Sequence, residues 1–144
     1  MRNGITACLS LLCSIGAHAQ PALSERANRF DGNWDVRIYC PSNSEESGAK
    51  GYTFEFPARV VNGELSGSHG EEGSAGSLHI EGPINSDGTA ELHARGRTNN
   101  PDYAVNKPSR GSAYTYRIKA QFDEKGGKGS RMEARVCNFT FKKR

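Results

Sequence analysis

The stretch that decides the fold is FDGNWDVRIYC, residues 30–40. Beyond its Asp-Gly pair the side chains alternate. Trp34, Val36, Ile38 and Cys40 fall on one face, and Asp35, Arg37 and Tyr39 on the other. That period of two is the signature of a β-strand with one face in a core. The strand carries the only tryptophan of the chain and one of its four cysteines on the core side.

The partner of Cys40 depends on the N-terminus. Arg2 is a short basic region, ITACLSLLCSIGA is an apolar run, and AHA at residues 17–19 has the small-x-small form of a cleavage site. The run is shorter than the roughly 20 apolar residues of a membrane-spanning helix. Residues 1–19 are therefore expected to be a cleaved signal peptide, and the location periplasmic or secreted. A lipid anchor fits poorly, because Cys13 follows Leu12 and Cys8 precedes any apolar run. Cleavage removes Cys8 and Cys13 and leaves Cys40 and Cys137. In an oxidising compartment two cysteines pair by default, with two buried free thiols as the alternative.

Past residue 31 the period of two continues. Tyr52, Phe54, Phe56, Ala58 and Val60 share a face, and VVNGEL follows. Asn-Gly between apolar runs predicts a two-residue type I′ hairpin, pairing Val60 with Leu65 and Ala58 with Gly67. At NSDG a two-residue loop would mix the faces. A three-residue loop with Gly88 left-handed unites Leu78, Ile80 and Gly82 with Ala90, Leu92 and Ala94. A last hairpin is expected to join SAYTYRIKAQF to SRMEARVCNFTFKK across a DEKGGKG turn.

This gives seven strands, with an eighth expected near residues 103–105 in the long 99–111 connection. A bridge between Cys40 on the first strand and Cys137 on the last makes those strands neighbours, since bridged Cα atoms lie within about 7 Å. A meander whose ends meet is a barrel, although a sandwich can also carry such a bridge. The expected fold is all-β: a single antiparallel meander barrel of seven or eight strands over residues 32–144. Residues 20–31 precede it as a helical segment, because Leu23, Ala27 and Phe30 fit one helix face.

FDGNW opening a β-meander resembles the calycin architecture of lipocalins, fatty-acid-binding proteins and avidins. The lipocalin likeness rests on G-x-W, here Gly32 and Trp34. It implies that Trp34 packs at a closed barrel end beside a basic residue of the last strand. With antiparallel end strands the candidates are Lys142, Lys143 and Arg144. The single Trp does not supply the several that an avidin biotin site needs. IYC at residues 38–40 is also loosely similar to an early strand of small periplasmic lysozyme inhibitors, and SAGS at residues 74–77 faintly resembles their Ser-Gly loop.

Charge excludes other classes. The formal net charge is +3 with acidic and basic residues interspersed, so no nucleic-acid footprint is present. One face of each strand carries Arg37, Glu55, Glu81, Glu91, Arg95, Arg117 and Lys119, which a bilayer-facing barrel wall would not tolerate. His79 and His93 on the outer face make half a zinc site at most, so no metal and no cofactor are expected. No nucleophile elbow or spaced carboxylate pair indicates an enzyme.

The expected role is therefore a monomeric, non-enzymatic binding protein for a small molecule at the barrel mouth. A protein-binding module such as a hydrolase inhibitor, or a structural envelope protein, are the alternatives. The candidate site residues are Tyr103 with a positive rim of Arg97, Lys107 and Arg110, together with Arg131 and Arg135. Read as one strand, the last segment puts Arg131, Glu133 and Arg135 on the face of Cys137. Either a bulge turns them out or their charges enter the mouth. Small inward residues (Ala58, Gly67, Gly82, Ala94, Gly96) either leave a cavity or make room for neighbouring rings, and packing favours the filled core.

Overall fold

The computed structural model describes residues 28–43, 46–131 and 133–144. The expected signal peptide and most of the expected helical segment lie outside them. What is described of that segment is a 3-10 turn, Asn28–Phe30.

Eight antiparallel strands close into a barrel in chain order. They are β1 (Gly32–Cys40), β2 (Tyr52–Val61), β3 (Glu64–His69), β4 (Leu78–Pro83), β5 (Thr89–Arg97), β6 (Ala113–Phe122), β7 (Gly126–Arg131) and β8 (Cys137–Lys143). β1 closes the circle on β8, with Val36 opposite Phe141 and Ile38 opposite Phe139. Cys40 and Cys137 form a disulfide where β1 ends and β8 begins.

Turn chemistry sets the registers. Asn62 and Gly63 both take positive φ, and Val60 faces Leu65 as the type I′ turn requires. The carboxylate of Asp31 accepts from both turn N–H groups, at 2.8 and 2.9 Å. At NSDG the loop has three residues: Ile80 faces Ala94, and Gly88 has φ 87°. A side chain at Gly88 would also run into the Phe122 carbonyl.

Two expectations are corrected. The eighth strand is not near residue 103, where the chain forms a 3-10 turn, Pro101–Tyr103. It is Gly126–Arg131, made of the end of the expected DEKGGKG turn and the first two residues of the expected last strand. The expected long last strand is in fact β7 and β8 with a break between them, and Arg131 faces Cys137 across that break. β7 lacks apolar alternation because its inward positions are Gly127, Gly129 and Arg131. Gly127 sits opposite Phe141 and Gly129 opposite Phe139. A Cβ at Gly127 would lie 2.7 Å from Phe122, and one at Gly129 3.0 Å from both Ala120 and Ile118. The rings fill the space that the glycines leave.

An even strand number divides the connections between two ends and puts the three longest at the same one. The turns at residues 62–63, 84–88 and 123–125 share one end with the 3-10 turn and the end of β8. The connections over 41–51, 70–77, 98–112 and 132–136 share the other. The short-turn end is plugged. Trp34 is fully buried, donates Nε1–H to the Phe30 carbonyl at 2.9 Å, and packs edge-on against Phe122, which in turn meets Phe141. Lys143, opposite Trp34 in the register, places Nζ 5.9 Å over the indole and donates to the Arg29 carbonyl. The outer wall carries cross-strand ion pairs such as Arg37–Glu55 and Arg117–Glu91. No helix among the described residues is long and apolar enough to cross a membrane.

Candidate functional site

The long-loop end is the mouth. β2 and β6 have three strands between them on either side, so they are opposite walls of the barrel. Each brings two inward aromatics to the mouth. Tyr52 and Phe54 stack on β2 with centroids 5.7 Å apart, and Tyr114 and Tyr116 stack on β6 at 5.8 Å. His69, at the end of β3, stacks on Phe54 at 4.4 Å. The 98–112 connection adds Asn99, Asn100, Tyr103, Ala104, Val105 and Pro108 as a third side. Together they enclose a half-open cavity of about 530 Å³, within the roughly 300–1,000 Å³ of small-molecule pockets. The filled-core expectation thus holds at the plugged end and gives way at the mouth. There the small residue Gly96 makes room for the Tyr114 ring.

The two arginines beside the break have different roles. Arg131 ends β7 facing inward, with its guanidinium carbon 4.5 Å over the Tyr116 ring. Its Nε–H donates to the Glu133 carbonyl at 3.0 Å. Arg135 is buried, 6% exposed. It donates to the carbonyls of Pro41, Lys50 and Tyr103 at 3.2, 3.0 and 2.9 Å, and lies 5.0 Å over Tyr52. It thereby ties two of the mouth connections to the third. Glu133, between them, turns to Arg117 on the outer wall at 3.3 Å. Its own backbone N–H, and then Arg117, hold its carboxyl below the usual range. The alternation expected of one continuous strand therefore fails: the two arginines turn to the mouth rings, and Glu133, at the cavity edge, turns its carboxylate to Arg117.

Burial dominates the two β6 tyrosines, and neighbouring phenols add to it. Tyr114 is pushed up to about 12 and Tyr116 further. Both stay neutral at physiological pH and present hydroxyl groups rather than charge.

The expected rim is only partly at the cavity. Tyr103 lines it and meets Tyr52 edge-on at 6.4 Å. Arg97 lines it and donates to the Gly111 carbonyl. Lys107 and Arg110 do not line it, and Arg110 is hydrogen-bonded to Asn99. Lys50, which no sequence pattern singles out, pairs with Asp102 at 3.0 Å and pins the loop base; that bond draws the carboxyl down and the ammonium up. On the outer wall His79 is held by Ser68 and Glu81.

The β2 aromatics were legible as inward residues by period two, and in SAYTYRIKAQF the same period places Tyr114, Tyr116, Ile118 and Phe122 on one face. Their meeting as opposite walls needed the strand count. Compared with family models, with curated proteins and with solved structures, the chain has no match in any of the three.

Proposed function

We propose that this chain is a non-enzymatic, exported β-barrel protein that binds a small molecule at the barrel mouth. The observation that carries the reading is the aromatic-walled cavity, open at one end of a barrel whose other end is plugged. The lining groups suit binding rather than chemistry. They are tyrosines held neutral, arginines committed to rings and carbonyls, and one glutamate paired away. The disulfide supports an oxidising compartment. The eight-stranded meander, with Trp34 sealed under a 3-10 turn and backed by Lys143, supports the calycin likeness.

Native mass spectrometry of protein purified undenatured from its own envelope tests the reading. A bound mass of small-molecule size, released on denaturation, is the expected result. Protein that always runs at the bare polypeptide mass counts against it. The second reading, a protein-binding module, draws on Tyr103 and Val136, which are 40% and 46% exposed beside the mouth. A retained protein partner in the same experiment would favour it.

A further inference from the structure

An aromatic box by itself suits a cation, since ring faces attract positive charge. This box already holds its cations. Arg131 covers Tyr116 and Arg135 covers Tyr52, with Arg97 at the rim. Among the described residues no carboxylate lies within ion-pair distance of any of the three; Glu133, the acidic residue that lines the cavity, is paired with Arg117, and Asp102 in the 98–112 connection with Lys50. A cationic ligand would therefore meet repulsion.

The three arginines are not equivalent. Arg135 spends its guanidinium on three backbone carbonyls, and Arg97 donates outward to Gly111. Arg131 uses Nε on the chain break, and its guanidinium lines the cavity over the Tyr116 ring. The pairs Tyr52–Phe54 and Tyr114–Tyr116 line the cavity from opposite strands, so a flat apolar body would meet aromatic side chains from two walls.

We infer that the mouth selects small planar anions, an aromatic body carrying one carboxylate, sulfonate or comparable acid, and that Arg131 meets the negative charge. This rests on the reading of the mouth as a small-molecule site. The neutral Tyr116 phenol beside Arg131 supplies a second polar group for the acid. A charge-assisted contact of this kind is about twice as strong as a neutral one, so removing either charge costs the complex at least about tenfold in affinity.

The test uses two fluorescent probes with the same rings. 1-Anilinonaphthalene-8-sulfonate carries an acid, and N-phenyl-1-naphthylamine lacks it. The expected result is one sulfonate probe per folded protein, bound at least about tenfold more tightly than the uncharged one. Arg131→Gln should erase that preference by weakening the sulfonate probe alone, while Arg59→Gln on the outer wall leaves both unchanged. If the two probes bind equally, the anion inference is overturned and the small-molecule site stands. A folded Arg131→Gln protein that keeps the preference overturns the inference in the same way. If neither probe binds, the small-molecule reading itself falls. Because the probe comparison on the unmodified protein decides the matter alone, a misfolded variant does not shelter the proposal.

Discussion

Arg135 shows most sharply how one residue organises the mouth. A planar guanidinium offers five donors in a fixed fork, and here it satisfies three carbonyls from two distant connections while its face covers Tyr52. Arg135→Met should cost about 1–3 kcal/mol, because three part-buried carbonyls lose their charged partner. Arg135→Lys should recover little, since one ammonium cannot span the three. Urea unfolding followed by Trp34 fluorescence measures both. The tyrosines give a second expectation. A phenol whose folded pKa is raised adds stability that is intact below its unfolded value near 10 and is lost as pH climbs through the folded value. Tyr114, raised to about 12 by burial, should therefore make the barrel lose stability between about pH 10 and 12. Tyr114→Phe should flatten part of that loss. A profile identical in the two proteins would show that the phenol is not desolvated.

At the scale of elements, strands with apolar inward faces and hairpins with Asn-Gly or Asp-Gly turns were legible in the sequence. There, turn type and binary pattern specify the same register. β7 was not. Its inward residues are Gly127, Gly129 and Arg131, so the pattern that marks a strand is carried by the rings opposite the glycines, Phe141 and Phe139. The legible trace was a glycine at every second position, GGKG, which also describes a turn. Arg135 was placed in the mouth region by its position near Cys137. Its role escaped because its partners lie up to 94 residues away and leave no local pattern. Small inward residues against large rings predict a sharp asymmetry in β7. Gly129→Val should destabilise the fold by roughly 1–3 kcal/mol through overpacking. Ser130→Val, on the alternate face, should stay within about 0.5 kcal/mol. Equal effects in thermal unfolding would mean that β7 is not seated against the core as described.

For the whole molecule, the alternation of an even-stranded meander separates the packed, plugged end from the open cavity. The plugged end holds Phe30, Trp34, Phe122 and Phe141. The open end holds the long connections, fastened by Arg135, by the Lys50–Asp102 pair and by the disulfide between β1 and β8. Closing a 97-residue separation, that bridge adds about 4–5 kcal/mol in the chain-entropy model. Loops on a rigid scaffold are where binding groups concentrate, so the two ends should respond separately to surgery. Replacing residues 99–109 with a short Gly/Ser turn removes Tyr103, Ala104, Val105 and Pro108 from the cavity wall and leaves every strand intact. The expected product still folds, forms its disulfide and keeps a blue-shifted Trp34 emission poorly quenched by iodide. It melts somewhat lower, because Lys50 loses Asp102 and Arg135 loses one carbonyl. Its affinity for the sulfonate probe should fall at least about tenfold, since one side of the pocket is gone while Arg131 remains. A variant that folds and binds the probe unchanged would move the site off the 98–112 connection and onto the barrel rings alone. A variant that fails to fold would show that the loop belongs to the core, and the division between the two ends would be wrong.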